Sequence, residues 1–473
     1  MTNNTLHHEL SVICQRYQAL LLAVDEQVMT VAVSGNVPEE MVVALRFTGN
    51  RRVLIEHWPA AKLEQRLSPT RAAETGEHYQ AAPDVRDEPE DTPALRFINQ
   101  ILKLAVQRRA SDIHFEPTPT RYRIRLRIDG VLQDSLSAPE ELVPRITTRL
   151  KILGKLNIAE RRLPQDGQFG LHLEQQRYSL RIATLPVHHG EKIVLRILHT
   201  QQQTLALEAL GMTPSELQLI KQSLQLPQGM ILVTGPTGSG KTFTLYSAIR
   251  WLNDSSRNIC SVEDPVEIPL DGINQTAIAP KAHLDFSRVL RALLRQDPDI
   301  IMVGEIRDAE TAEIAVKAAQ TGHLVLSTLH TNSALDTLSR LKHLGIPGYL
   351  LASALKLIVA QRLVRRLCPH CRQRQEDSTG FPTTVWQGPL RRWAAKGCNH
   401  CFSGYYGRTA IYEMLPITQD IQHLLAQEPQ RLSLPSLLAS SGHVTLLSAG
   451  LALVDKGTTS LEEVYRVTGD GPC

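Results

Sequence analysis

The eight residues from Gly235 to Thr242, Gly-Pro-Thr-Gly-Ser-Gly-Lys-Thr, constrain the fold more strongly than any other segment. They follow an apolar run, 230–234, and precede a segment with helical periodicity, 243–252. A glycine-rich loop between a strand and a helix lets backbone N–H groups point at phosphate oxygens, and the helix N-terminus adds partial positive charge. The segment therefore predicts a phosphate-binding loop, in which Lys241 reaches the β- and γ-phosphates of a nucleotide and the Thr242 hydroxyl binds Mg²⁺. The predicted loop residues are Gly235, Pro236, Thr237, Gly238, Ser239, Gly240, Lys241 and Thr242.

Short apolar runs alternate with helical segments from residue 205 to residue 366. The runs are 230–234, 259–262, 300–303 and 324–328. Buried strands joined by helices are typical of a largely parallel sheet with helices on both faces. In such a sheet the residues that follow each strand meet at one edge, where ligands bind. The sequence therefore predicts an α/β fold whose chemistry lies at the carboxyl edge of this sheet.

Carboxylates follow two of these runs. Glu263, Asp264 and Glu267 come after the second run, and Glu305 comes after the third. Phosphoryl transfer to water needs an acid that binds the metal and a group that orients the attacking water. We therefore expect these side chains beside the phosphate loop, with Glu263 and Asp264 among the nucleotide contacts. Any one of them taken alone would be no more than a solvated loop acid.

Two histidines bracket the fourth run, His323 before it and His330 after it. A histidine at the end of a buried strand could sense the γ-phosphate or relay a proton. We take His323 as a candidate for nucleotide binding and His330 as a candidate for catalysis. A hydrogen-bonded structural histidine is the alternative for either residue.

Residues 121–128 alternate arginine and apolar side chains, and Asp129-Gly130 then leads into a return strand. The alternation puts four arginines on one strand face, where they repel each other unless anions or carboxylates lie opposite. They could act as arginine fingers on a nucleotide bound elsewhere, follow a nucleic-acid backbone, or form a solvated face. A net charge of +3, from 51 basic and 48 acidic residues, makes nucleic acid an unlikely partner. The four residues are Arg121, Arg123, Arg125 and Arg127.

Two Cys-x-x-Cys pairs are separated by 26 residues. Four thiolates at this spacing suit a closed tetrahedral zinc site, and an odd total of seven cysteines does not suit a disulfide framework. His370 and His400, one inside each pair, could substitute as ligands, although four cysteines suffice. The expected Zn²⁺ ligands are Cys368, Cys371, Cys398 and Cys401. Cys14, Cys260 and Cys473 are expected to be ordinary cysteines.

Four parts are expected along the 473 residues. Residues 1–68 form a small α/β unit that could bind a partner. Residues 69–93 hold four prolines, seven acids and no Ile, Leu or Phe, which is typical of a flexible linker. Residues 94–200 form a mixed α/β domain with a mixed sheet. The last part, residues 201–473, contains the phosphate loop, the zinc element (368–401) and a mostly helical segment (411–473).

No segment is predicted to enter a membrane. The N-terminus lacks a basic stretch followed by an apolar one, and no run approaches about 18 consecutive apolar residues. The expected location is therefore the cytoplasm, with any membrane attachment made through partners.

A set of motifs follows in order along the chain, and together they resemble one family. The motifs are 110–117, 125–130, 158–167, the phosphate loop, 262–267, 295–299, 303–308 and 321–332, followed by the two cysteine pairs. Over residues 94–415 the chain resembles the GspE/PilB family of type II secretion and type IV pilus assembly ATPases, and it is most like the HofB branch.

The resemblance implies a P-loop (RecA-like) ATPase core that hydrolyses ATP with Mg²⁺ and assembles as a homo-hexamer. Such enzymes are peripheral at the cytoplasmic face of the bacterial inner membrane. They drive pilin or pseudopilin assembly through platform and anchoring membrane proteins, and so act on the pilin-like subunits indirectly.

The resemblance also implies roles for individual residues. Glu267 is the candidate for activating water and Glu305 for serving the metal, although the sequence does not separate the two roles. Arginine fingers are expected from the domain before the core, where the first candidates are Arg125 and Arg127 and the second are Arg162 and Arg181. The aspartate box, the Walker B segment and the histidine box of the family match residues 262–267, 300–305 and 322–330.

Other functions stay open at this point. A pilus-retraction or DNA-uptake motor shares the core motifs, but the four-cysteine element favours the assembly side. A DNA-binding translocase would use the arginine face, and a scaffold would bind nucleotide without turnover, although all core motifs are intact. The N-terminal region lacks the pattern of members that bind a cyclic dinucleotide, so that ligand is not predicted.

Overall fold

The computed structural model describes residues 10, 14, 19–24, 28–34, 37, 41–42, 45–46, 51–59, 93–173, 176–199, 205–427 and 442–469. The chain divides into two compact units, Met1–Asp84 and Val85–Cys473. Apart from Pro93, the predicted linker lies outside the described residues, as does Cys473. Within the described ranges, every helix is too short or too polar to span a bilayer.

The first unit contains a three-stranded sheet. Strands β1 (Leu20–Val24) and β2 (Val28–Val33) pair antiparallel. Strand β3 (Arg52–His57) runs parallel to β2. Met29 and Val31 of β2 are fully buried, so one face of this sheet forms the core of the unit.

The second unit begins with a six-stranded sheet and the helices α1 (Pro93–Gln107) and α2 (Val143–Leu153). The strands are β4 (Ala110–Pro117), β5 (Tyr122–Ile128), β6 (Val131–Ala138), β7 (Gln165–Leu173), β8 (Gln176–Val187) and β9 (Gly190–His199). Their order is β6-β5-β4-β9-β8-β7, and every pairing is antiparallel. The prediction of a mixed sheet is therefore wrong, because β4, β5 and β6 are joined as hairpins, as are β7, β8 and β9, and the connection through α2 joins strands at opposite edges of the sheet.

Strand β5 shows why the sheet has two chemically different faces. Tyr122, Ile124, Leu126 and Ile128 are buried in the core together with apolar residues of α1. The intervening arginines are only partly buried on the opposite face. The alternation read from the sequence thus becomes one packed face and one charged face.

The rest of the unit is built on a seven-stranded sheet in the order β12-β11-β13-β14-β10-β15-β18. The strands of this region are β10 (Gly229–Thr234), β11 (Ile259–Glu263), β12 (Asn274–Ala277), β13 (Ile300–Val303), β14 (Leu324–Leu329), β15 (Leu355–Leu367), β16 (Gln373–Arg374), β17 (Trp393–Ala394) and β18 (Tyr405–Pro416). All pairings in the large sheet are parallel except that of β15 with β18. Strands β16 and β17 form a separate two-stranded sheet.

Helices cover both faces of this sheet. Ile231 and Leu232 are adjacent in β10 and both are buried, each in a different hydrophobic cluster. This is the pattern of a doubly covered parallel sheet, as predicted. The helices are α3 (Pro214–Leu224), α4 (Lys241–Leu252), α5 (Phe286–Leu293), α6 (Ala309–Gln320), α7 (Ala334–His343), α8 (Gly348–Ala354), α9 (Gln419–Ala426), α10 (Leu446–Asp455) and α11 (Leu461–Thr468). Residues 411–416 lie at the start of the segment predicted to be mostly helical, but they belong to β18, because their apolar side chains complete the sheet edge beside β15.

Candidate functional site

The phosphate loop joins β10 to α4, and three of its glycines have conformations that other residues rarely adopt. Gly235, Gly238 and Gly240 have φ angles of 150°, 81° and 90°. A Cβ atom on Gly235 would lie 2.6 Å from the carbonyl oxygen of Gln361, and one on Gly240 would lie 2.8 Å from the Gln361 Nε2. The loop therefore requires glycine both for its backbone conformation and for its close approach to β15.

Lys241 is the first residue of α4 and is buried. Its Nζ donates to the backbone carbonyl oxygens of Gly235 at 2.8 Å and Pro236 at 3.1 Å, across the interior of the loop. Burial lowers the pKa of Lys241 to about 8, against the opposing effect of the Glu305 carboxylate. Thr242, the next residue, is exposed. A cation and a free hydroxyl thus lie at the start of the helix, where anions bind.

Glu305 lies just beyond β13 in a cluster of charged side chains. Its carboxylate pairs with the guanidinium of Arg307 and lies 3.6 Å from the Nε2 of His330. Arg307 also reaches the Asp264 carboxylate, at 3.5 Å. Burial lowers the pKa of His330, Lys241 lowers it further, and Glu305 opposes both. The ends of β11, β13 and β14 therefore meet as expected.

Arg307 had no predicted role, although it lies inside the 303–308 motif. Its guanidinium joins the carboxylates that follow two different strands, so it fixes the spacing between them. Gln361, which borders the phosphate loop, was also missed, since a glutamine in an apolar strand gives no signal of its own.

Glu267 makes one of the contacts between the large-sheet region and the six-stranded sheet. Arg181, on β8 of the six-stranded sheet, places its Nη1 3.5 Å from the Glu267 Oε1. Both side chains are about one third exposed, with 30% and 37% of their surface accessible. Arg162, the other second-rank arginine, is 90% exposed and pairs with Glu160 at 3.7 Å.

Carboxylates lie opposite the arginine face, as mutual repulsion requires. Arg125 donates to Glu116 through Nε at 2.8 Å and Nη2 at 2.9 Å. Arg127 lies 3.6 Å from Asp112 and donates to the Gly130 carbonyl at 3.0 Å. Glu116 and Asp112 belong to the neighbouring strand β4 and are buried.

The charge balance on this face fixes the ionisation of Glu116. Burial acts to raise its pKa, but hydrogen bonds from Arg125 and Lys192 outweigh burial and hold the pKa at about 2.

The register of β5, β4, β9 and β8 places four charged residues side by side across the sheet, and the residue on β8 is the arginine that contacts Glu267. The row consists of Arg127, Asp112, Arg196 and Arg181.

His323 is not brought to this site. It precedes β14, its Nδ1 lies 3.1 Å from the Ala318 carbonyl oxygen, and its own carbonyl accepts the N–H of Gly229 at 3.0 Å. Gly229 begins β10, whereas the phosphate loop follows the end of that strand. A strand of six residues is about 20 Å long, so His323 lies at the opposite edge of the sheet and is a hydrogen-bonded structural residue.

Glu263 also departs from its predicted place among the nucleotide contacts. It is only 3% exposed. Its carboxylate accepts hydrogen bonds from the Tyr246 hydroxyl, from Ser261 at 2.6 Å and from Gln275 at 3.0 Å. Because the protein itself uses both oxygens, Glu263 is a structural carboxylate of the sheet.

The four cysteines of the zinc element come together. Their Sγ atoms all lie within 4.8 Å of one another. Sγ separations of 3.8, 3.6 and 3.7 Å join the pairs 368–398, 371–401 and 398–401. Four sulfurs at about 2.3 Å from a tetrahedral zinc would be about 3.8 Å apart. The four sulfurs and their spacing therefore fit a metal ion. The rings of His370 and His400 are exposed and lie against each other, with their centroids 4.7 Å apart.

The zinc element contacts the six-stranded sheet through the residues that follow Cys401. Phe402 packs against the hydrophobic core of that sheet. The guanidinium of Arg109, beyond the end of α1, lies 3.9 Å from the Tyr406 ring centroid. The N–H of Gly407 donates to the Asp129 carboxylate at 3.0 Å. The turn between β5 and β6 is thereby joined to the start of β18.

Comparison with known proteins identifies the family. The model of the "Type II/IV secretion system protein" family matches residues 87–466. The chain is 50% identical to the "Protein transport protein HofB homolog" of Escherichia coli strain K12, over 98% of either chain. It is 47% identical to the "Type IV pilus assembly ATPase PilB" of Pseudomonas aeruginosa, over 82% of this chain and 69% of that one.

A solved structure of the pilus retraction motor PilT with bound ADP is also similar, with 27% identity and a TM-score of 0.52. That likeness covers 79% of this chain and 97% of the other. The resemblance predicted from the motifs is confirmed by a family match over most of the chain and by a relative that matches over nearly the full length of both chains. The chain therefore belongs to the type II/IV secretion system ATPase family.

Proposed function

We propose that this ATPase hydrolyses ATP with Mg²⁺ and uses the energy to assemble type IV pilins or type II secretion pseudopilins at the bacterial inner membrane. The observation that carries the proposal is the grouping of Lys241, Glu305 and His330 at the edge of the sheet that also forms the phosphate loop. A buried lysine and a carboxylate beside a phosphate cradle are recurring parts of sites for phosphoryl transfer, and His330 lies against that carboxylate.

Lys241 would exchange its two carbonyl partners for phosphate oxygens. In the free protein it is a buried cation with a lowered pKa, so the desolvated charge is only partly compensated. Phosphate oxygens would supply the missing negative charge in a dry site, where electrostatic interactions are strong. The glycines of the loop and the first turn of α4 would add backbone N–H donors.

Thr242 and Glu305 are the residues that would hold Mg²⁺. The hydroxyl and the carboxylate are hard oxygen ligands of the kind that this ion prefers, and Thr242 is exposed at the start of α4. When bound, the ion neutralises charge that develops on the phosphates. Arg307 and His330 hold the Glu305 carboxylate at the sheet edge, and Asp264 shares the Arg307 guanidinium.

Glu267 is the proposed base that orients the attacking water. Its carboxylate is more exposed than that of Glu305 and forms an ion pair with Arg181 of the six-stranded sheet. An arginine that leaves this pair on nucleotide binding would free the carboxylate for water. Arg125 and Arg127 are the proposed arginine fingers, which would act on a nucleotide of a neighbouring subunit in a homo-hexamer.

The cellular role of the enzyme is inferred from the names of its relatives. The names of two of them specify protein transport and type IV pilus assembly. We infer that the enzyme is a peripheral protein on the cytoplasmic side of the inner membrane and acts through platform and anchoring proteins. We also infer that Zn²⁺ is held by the four cysteines and has a structural role, because a closed Cys₄ set leaves no open position for catalysis.

The test is steady-state ATPase activity and nucleotide binding in two variants of the full chain. Lys241→Ala should lose both binding and turnover. Glu267→Gln should bind nucleotide but hydrolyse it about 100- to 10,000-fold more slowly, the usual range for losing a general base. Lys281→Ala and Glu310→Gln, at exposed positions, are matched controls. Undiminished turnover in both site variants would contradict the assignment.

A further inference from the structure

Tyr246 is a fully buried side chain that the mechanism above does not use. It lies on α4, the helix that begins with Lys241, and is 0% exposed. Its hydroxyl donates to the Glu263 carboxylate and accepts the backbone N–H groups of Glu267 at 3.1 Å and Ile268 at 3.4 Å. A phenol hydroxyl has one proton and two lone pairs, so its entire hydrogen-bonding capacity is engaged.

Gln275 completes this network from β12. Its Nε2 donates to Glu263 at 3.0 Å and to the Ile268 carbonyl at 3.2 Å, and its Oε1 accepts the N–H of Leu270 at 2.7 Å. Burial raises the pKa of Tyr246 and the Glu263 carboxylate raises it further, so the hydroxyl stays a donor at neutral pH. The backbone from residue 267 to residue 270 is thus held by side chains of α4, β11 and β12.

We propose that Tyr246 is a positioning residue for Glu267, which links the helix behind the phosphate loop to the segment that carries the base. The proposal rests on the role given to Glu267 above. The Glu267 side chain is one third exposed, and its described ion pair is with Arg181 at 3.5 Å. The position of the Glu267 carboxylate is therefore restrained mainly through its backbone, whose N–H donates to the Tyr246 hydroxyl.

The hydrogen bonds of Tyr246 predict that losing its hydroxyl lowers the rate of hydrolysis but not the affinity for nucleotide. Removing the Tyr246 hydroxyl leaves two backbone N–H groups without an acceptor and takes from Glu263 one of its three hydrogen-bond donors, so the segment must relax. A displacement of about 1 Å in a reacting group can cost about 100-fold in rate. Lys241 and the phosphate loop make no contact with this hydroxyl in the described hydrogen bonds, so nucleotide affinity should be retained.

The first experiment compares Tyr246→Phe with Tyr412→Phe in the full chain. Tyr412 is equally buried in the same hydrophobic cluster, but its hydroxyl donates to the Leu210 carbonyl. We expect Tyr246→Phe to lower kcat about 10- to 100-fold, with the Kd for a fluorescent ATP analogue changed less than about twofold. Tyr412→Phe should leave kcat unchanged. An unchanged kcat in folded Tyr246→Phe overturns the proposal.

The second experiment asks whether Tyr246 acts through Glu267. In a Glu267→Gln background, Tyr246→Phe should reduce the residual single-turnover rate by less than about twofold, because the group it positions is already gone. Losses that multiply would overturn the proposal, since Tyr246 would then act by another route. If Tyr246→Phe does not fold by circular dichroism, Glu263→Gln takes its place with the same expected loss confined to kcat.

The two proposals fail in different ways. Full turnover in Glu267→Gln alone would reject the role of Glu267 under the proposed function, without reference to Tyr246. A large loss in Glu267→Gln together with normal turnover in Tyr246→Phe would reject only the positioning role.

Discussion

Lys241 sets how nucleotide affinity should depend on pH. Its pKa of about 8 lies within the range where proteins are ordinarily handled. A bound phosphate stabilises the protonated amine, so binding to a protein that has lost the proton must first recover it. Affinity should therefore fall as the pH rises through 8.

The size of the effect follows from the pKa. At pH 7 about 90% of the free protein carries a charged Lys241, and at pH 9 only about 10% does. If phosphate restores the pKa to its ordinary value of 10.5, the bound lysine stays charged at both pH values. The Kd should then rise about tenfold between pH 7 and pH 9, which corresponds to about 1.4 kcal/mol.

The assay is equilibrium titration of the full chain with a fluorescent ATP analogue and Mg²⁺, at intervals between pH 7 and pH 9. Lys241→Arg is the control, because a guanidinium stays charged over this range. The variant should show a flat profile, whatever its absolute affinity. A flat profile in the native protein, or an equal slope in the variant, would refute the reasoning.

Two further predictions concern the six-stranded sheet and the zinc element. Glu116→Gln should lower the free energy of unfolding by about 1–3 kcal/mol in urea at pH 7, because Arg125 and Lys192 lose a buried carboxylate. Since the folded pKa of Glu116 is about 2, below its ordinary 4.5, this stabilisation is complete above pH 4.5 and disappears as the pH falls toward 2; a pH-independent difference would contradict it. Cys371→Ser should reduce bound zinc, measured by elemental analysis, from about one equivalent per chain. It should also speed hydrogen exchange at Gly407, whose N–H is bonded to Asp129; unchanged exchange in zinc-free protein would rule out that coupling.

Local signals predicted the phosphate loop and its sheet well. The loop, the strand before it and the helix after it are adjacent in the sequence, so their glycines and periodicity report the structure directly. The parallel direction of the strands also follows from such signals, because helical segments connect the apolar runs. The meeting of Glu305 with His330 at one edge was predictable for the same reason.

Tertiary partners were beyond reach of the sequence pattern. Glu263 looked like a site acid, but its partner Tyr246 comes 17 residues earlier on another element, so its burial could not be foreseen. His323 differs from Glu263 in this respect: it precedes the strand that His330 follows, so the direction of β14 alone places it at the far edge. The alternating arginines required carboxylates opposite them, yet only the register of β4 with β5 identifies Asp112 and Glu116.

Strand β15 sets the distance between the phosphate loop and the zinc element. Gln361 borders the phosphate loop, and Cys368 follows the last residue of the strand, about 23 Å further along. The strand pairs with β10 as far as Ala360 and with β18 from Leu357 to Leu367. An extended strand is already close to the maximum length of its chain, so the backbone between Gln361 and Cys368 has little room to lengthen. The phosphate loop and the zinc element therefore lie at the two ends of one extended segment of nearly fixed length, and Phe402, next to Cys401, packs against the core of the six-stranded sheet.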